Sequence, residues 1–156
     1  ACVSGISLHK AGSRGGEMAR ICGSPQERAE QVIEHAEFVR WVADLLEKPE
    51  TKHLSRAGVV AAMFATYSKA KKMAAEFWQA VRDETGATPD CPDRQLAKWL
   101  GQVVVWHLAE LPGVKSRRAD SREMYVRSIH AWNAFRRGEK LERLKYHKKS
   151  KVPSVA

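Results

Sequence analysis

Apolar residues recur at intervals of three and four along most of the chain, the spacing of one face of an α-helix. The first such stretch opens at Ser24-Pro25-Gln26-Glu27. There the Ser24 hydroxyl can accept from the first turn, Pro25 stands where no donor is needed, and Glu27 completes a capping box. Ala29, Val32, Ile33, Ala36, Val39, Ala43 and Leu46 continue the stripe, widened by Phe38, Val42 and Leu45, and predict one long amphipathic helix ending near Lys48-Pro49. A second start at Ser55 leads into Ala57-Gly58-Val59-Val60-Ala61-Ala62-Met63-Phe64-Ala65, a run so poor in polar groups that it predicts an enclosed inner helix. Ala70, Met73, Ala74, Phe77, Trp78 and Val81 mark a third helix after a short connection near Ser68-Lys69, with Gly86 suited to a left-handed terminus. Helices joined so closely have the spacing of a helix-turn-helix, which any antiparallel pair shares.

Pro89 and Pro92 make a loop of the next segment. Leu96, Trp99, Leu100, Val103, Val104, Leu108 and Leu111 then predict a fourth helix, in which Val103-Val104-Val105 is the one place where a strand competes. Leu111-Pro112-Gly113 stops it. Asp120-Ser121-Arg122-Glu123 is a further capping box; behind it Met124, Tyr125, Ile129, Trp132 and Phe135 line the inner side of a fifth helix ending at Arg136-Arg137-Gly138. Glu123, Arg127, His130 and Arg137 fall on its other side. Leu141 and Leu144 can tuck against the body, and Tyr146 onward reads as an exposed tail. Residues 1–23, with five glycines and no sustained period, read as an irregular opening segment. The expected fold is all-α: a single helical domain of about five main helices over 1–147, followed by a basic flexible tail over 148–156.

Composition narrows the class. A chain of 156 residues, 44% of them hydrophobic, can bury one core. Its longest apolar run, Leu100 to Leu108, is interrupted by Gly101, Gln102 and His107 and falls short of the roughly 20 residues of a membrane span, so no membrane partner is expected. Cys2, Cys22 and Cys91 cannot all pair and have no zinc spacing, which suggests a reducing, cytoplasmic compartment. The start Ala1-Cys2-Val3-Ser4 has neither Met nor a signal-peptide pattern and reads as the edge of a processed or longer protein.

Charge changes the picture most. Residues 1–114 hold 14 Lys/Arg and 14 Asp/Glu, whereas residues 115–156 hold 13 Lys/Arg against Asp120, Glu123, Glu139 and Glu142. The whole excess of +9 therefore lies in the last quarter of the chain. A neutral body with a basic end suits a polyanion, because each cation set against a phosphate releases condensed counterions. Nucleic acid is the partner this implies, DNA foremost. Arg117, Arg118, Arg122, Arg127, Arg136, Arg137, Lys145, Lys148 and Lys149 are the candidate phosphate ligands, and Tyr146, set among lysines, is the aromatic best placed to meet a base. Trp78, Trp99 and Trp132, spaced helically among aliphatics, belong to the core.

Catalytic chemistry finds little footing. Gly12-Ser13-Arg14-Gly15-Gly16 lacks the strand before it and the Lys-Ser/Thr after it that a phosphate-cradling loop requires, and no two of the six histidines stand three or four residues apart, so neither cofactor nor metal is expected. The acidic residues of Glu30-to-Glu37 and of Asp90-to-Asp93 read as solvent-facing ion-pair partners rather than as an acid-base pair. Two rivals stay open. One is an interaction module whose apolar groove takes a partner helix or a second copy of the chain; the other is a nucleic-acid-processing enzyme with a dispersed site drawing on His107, Glu110 or His130.

Ser55–Ala62, the Ala74–Val81 helix and above all Ile129-His130-Ala131-Trp132-Asn133-Ala134-Phe135-Arg136-Arg137-Gly138, with Leu141 and Leu144-Lys145 behind it, form a recognisable pattern. It resembles the helical C-terminal region of phage- and plasmid-borne ParB/sulfiredoxin-like proteins, where an Ala-Trp-Asn-Ala-(Tyr/Phe) helix ending in Gly precedes a short Leu-x-x-Leu-(Arg/Lys) segment. The resemblance spans roughly residues 55–147 and contains no catalytic motif. The Asp-Gly-Gln-His-Arg string of those proteins' N-terminal domain does not occur here. What the resemblance implies is an accessory helical domain, with no enzymatic activity carried over.

Overall fold

A computed structural model describes residues 24–108, 121–147 and 151–156. Its helices are α1 (Pro25–Glu34), α2 (Ala36–Leu45), α3 (Ala57–Lys69), α4 (Lys71–Asp83), α5 (Pro92–Leu108) and α6 (Ser121–Arg137), with a 3-10 turn at Pro49–Ser55 and no strand among the described residues. The fold is all-α, as the periodicity predicts, and Val103–Val105 are helical.

The run with least to offer water lies innermost. Every residue of α3 from Gly58 to Thr66 is buried, and α3 packs chiefly against α6 and then α4, while α5 closes the layer through α6 and α4. Phe77, Trp78 and Trp132 are fully enclosed, Phe77 meeting Trp132 and Trp78 edge-on at 5.6 and 5.2 Å. Trp99 is partly buried against the same core. A buried indole N–H without a partner would be costly. That of Trp78 donates to the Thr66 hydroxyl at 2.9 Å, which itself donates to the Ala62 carbonyl.

Gly58 is set by close approach. A Cβ there would overlap the Ser121 carbonyl oxygen and lie 2.9 Å from the Met124 Cβ, so only a residue without one lets the start of α6 rest on α3.

The structure departs from the sequence reading at three helix boundaries and at one buried carboxylate. The first helix is two: His35 leaves helical geometry at φ −114°, ψ 31°, and its ring packs edge-on against Phe64 at 4.9 Å. The bend aims Phe38, Val42 and Leu45 of α2 into the core, while α1 buries no residue and leaves Ile33 75% exposed. Ser55 closes the 3-10 turn instead of capping α3, whose N-cap is Arg56. The left-handed residue ending α4 is Glu84 at φ 53°, not Gly86. Gly86 is needed for space, since a Cβ would stand 2.6 Å from the Asp93 carboxylate and 2.9 Å from the Arg94 Cβ. Glu123, expected on an outer face, is buried. The Ser24-Glu27 capping box forms as predicted, and Gly138, at φ 65°, ends α6. Asp120 and Leu111–Gly113 lie outside the described residues.

Candidate functional site

The left-handed Gly138 turns the chain back along α6, and Glu139 N–H closes the helix by donating to the Ala134 carbonyl at 2.9 Å. Leu141 N–H then donates to the Asp90 carbonyl at 2.7 Å, and Lys140 pairs with the Asp90 carboxylate at 3.1 Å, fixing the returning segment to the loop before α5. The Thr88 hydroxyl and Lys140 hold the Asp90 carboxyl below the usual carboxylate range. Leu144 is buried and Leu141 half-buried against the core, the tuck that their spacing predicts.

Between α6 and this returning segment lies a cleft of about 520 Å³. Val126, His130, Ala134 and Arg137, spaced by three and four along one face of α6, form its floor. Arg143, Lys145, His147 and Lys151 supply cations and imidazoles to its walls, against the single carboxylate of Glu142. Arg143 and Lys145 flank the buried Leu144 and are themselves exposed. Arg143, Lys145 and Lys151 make no ion pair with a described residue. His130 is held below its ordinary value of 6.5, first by shielding from water and then by the charges of Arg137 and Arg127, and so is neutral at pH 7.

The candidate cations divide sharply. Arg127 is an internal clamp: it pairs with Glu123 at 2.9 Å, donates to the Leu144 carbonyl, and lies over the rings of Trp99 at 4.8 Å and Tyr146 at 5.7 Å. Arg122 donates to the Tyr146 hydroxyl at 3.1 Å. Arg137 is engaged by Glu139 in two hydrogen bonds of 2.6 and 2.8 Å at the cleft edge. Arg136 points away from the cleft, toward Met73 of α4, with its Nη1 2.9 Å from the sulfur. Lys145 and Tyr146 line the cleft, but the Tyr146 ring is half-buried and packed against two guanidinium groups. Arg117, Arg118, Lys148 and Lys149 lie outside the described residues, as do Glu110 and the His107 side chain.

Arg143 and Lys151, absent from the sequence-derived ligands, belong to the cleft. The alternation around Leu144 was the signal for Arg143. For Lys151 the local sequence holds none, because the contact that places it is made several residues further on. Ser154 and Ala156 dock on α6 where a free tail was expected: Asn133 Nδ2 donates to the Ser154 carbonyl at 2.8 Å, Ala156 N–H donates to Asn133 Oδ1 at 2.9 Å, and the Trp132 indole donates to the Ala156 carbonyl at 3.0 Å.

No helix among the described residues is long and apolar enough to cross a membrane. Comparison with family models, curated proteins and solved structures finds no match to this chain.

Proposed function

We propose that this chain is a nucleic-acid-binding helical domain, with DNA its foremost ligand, that holds phosphates in the cleft between α6 and the segment returning along it. The observation carrying this reading is the lining of that cleft: Arg143, Lys145 and Lys151, none ion-paired with a described residue, face one carboxylate, Glu142. A strip of unneutralised cations beside a groove attracts a phosphate backbone irrespective of sequence. Burial of the Tyr146 face under Arg122 and Arg127 leaves little ring for base stacking, which favours backbone contact with low base selectivity. The resemblance to the helical region of ParB/sulfiredoxin-like proteins agrees with an accessory role of this kind.

Fluorescence anisotropy against single- and double-stranded oligonucleotides at two salt concentrations tests the proposal. Binding that weakens steeply as salt rises supports it; absence of binding at low salt, or affinity indifferent to salt, refutes it.

A second reading has one observation in its favour. Val32 and Ile33 of α1 are 37% and 75% exposed on a helix that buries nothing, an arrangement suited to a partner helix or a second copy of the chain. A sedimentation mass that rises with protein concentration and ignores salt would favour it.

A further inference from the structure

Asn133 stands three residues after His130 and four before Arg137, so it borders the floor of the cleft on α6. Its side-chain amide both donates to and accepts from the main chain of residues 154–156, the strap, as a paired strand would, through Ser154 O at 2.8 Å and Ala156 N at 2.9 Å. Trp132, fully buried, adds a third bond from its indole N–H to Ala156 O, and Val155 packs against the core. Three hydrogen bonds and an apolar anchor thus fix residues 154–156, and the chain leading into them brings Lys151 to the cleft wall. That anchor limits the freedom of the Lys151 backbone, so that less conformational entropy is lost when its side chain meets a ligand.

We infer that Asn133, assisted by Trp132, is a positioning residue of the polyanion cleft: by anchoring the main chain of residues 154–156 it holds Lys151 where phosphates pass. This rests on the phosphate-binding reading of the cleft, which requires cations there but does not require the strap to be anchored.

The test uses the full chain and a fluorescein-labelled duplex oligonucleotide, with affinity measured over a range of salt. Three variants are compared: Lys151→Ala, Asn133→Leu, which keeps the branched shape of the side chain but loses both bonds, and Ala156→Pro, which deletes the N–H that Asn133 accepts from while leaving the Asn133 side chain in place. Lys151→Ala is expected to weaken binding about threefold and to lower the salt slope by about 0.9. Asn133→Leu is expected to match it, Ala156→Pro to follow in the same direction, and Asn133→Leu combined with Lys151→Ala to add nothing further. A salt slope lowered by one cation's worth is a readout that loss of fold would not mimic. If Asn133→Leu disrupts folding, Ala156→Pro, which leaves every side chain of α6 in place, decides the matter. The inference is overturned if Lys151→Ala weakens binding while Ala156→Pro and a folded Asn133→Leu bind as the unaltered chain does, or if the combined losses are additive. It is overturned as well if Lys151→Ala has no effect; replacement of Arg143 and Lys145 then shows whether the cleft reading survives or falls with it.

Discussion

Arg127 and Arg143 stand 16 residues apart in the same basic quarter of the chain, yet they do opposite work. Arg127 is turned inward and neutralised, its guanidinium shared between Glu123, the Leu144 carbonyl and two aromatic rings. Arg143 faces a cleft beside Lys145 and Lys151 with no described carboxylate in an ion pair with it. Net charge therefore overstates the surface available to a polyanion: part of the excess holds the returning segment on α6, and part lines the cleft that segment creates. The clamp builds the wall, and the outward cations give the wall its character.

The comparison can be broken from the clamp side with the largest effect. Arg127→Met removes an ion-pair partner of the buried Glu123 carboxylate and is expected to cost about 3 kcal/mol of stability, read as a lowered denaturant midpoint. Adding Glu123→Leu should recover part of that loss, because a buried charge goes with it. A destabilisation below about 0.5 kcal/mol would mean that the pair is surface-like. Close behind comes Gly58→Ala, whose Cβ must displace the Ser121 carbonyl at the start of α6; it is expected to cost about 2 kcal/mol and to loosen the same wall from its other end.

From the cleft side the pattern reverses. Replacing Arg143, Lys145 and Lys151 together by Ala is expected to change stability by no more than about 0.5 kcal/mol, since exposed side chains are removed. Oligonucleotide affinity at low salt should fall by about tenfold or more. The smallest effect is that of pH. His130 is depressed below 6.5 in the folded chain, so below that value the unfolded chain takes up a proton that the folded chain resists. Its share of stability is therefore present above about 6.5 and declines as the pH falls through the window beneath it. Affinity for a polyanion should move the other way, because a proton on His130 adds a cation to the cleft floor. His130→Gln should flatten both trends.

What the sequence reveals of this molecule follows from how local each cause is. The enclosed α3, the inner side of α6, the Ser24 capping box and the tuck of Leu144 are written in spacings of a few residues, and periodicity finds them. The break at His35 depends on an aromatic contact with Phe64, far along the chain, and no local propensity announces it. The burial of Glu123 is likewise hidden, because a carboxylate four residues before an arginine looks the same on paper whether the pair faces water or a tryptophan. Charge counting locates the basic quarter but cannot separate Arg122 and Arg127 from Arg143 and Lys151. That separation is made by Tyr146 and by the strap bonds of Asn133, which bring together residues more than 20 positions apart.

The dependence of oligonucleotide affinity on salt, measured for the unaltered chain and for the Arg143→Ala/Lys145→Ala/Lys151→Ala variant, bears most directly on this division. A slope of log affinity for a duplex against log salt that is shallower in the variant by about 2.7, with the denaturation midpoint unmoved, is the predicted result. Equal slopes and equal affinities in the two proteins would contradict it.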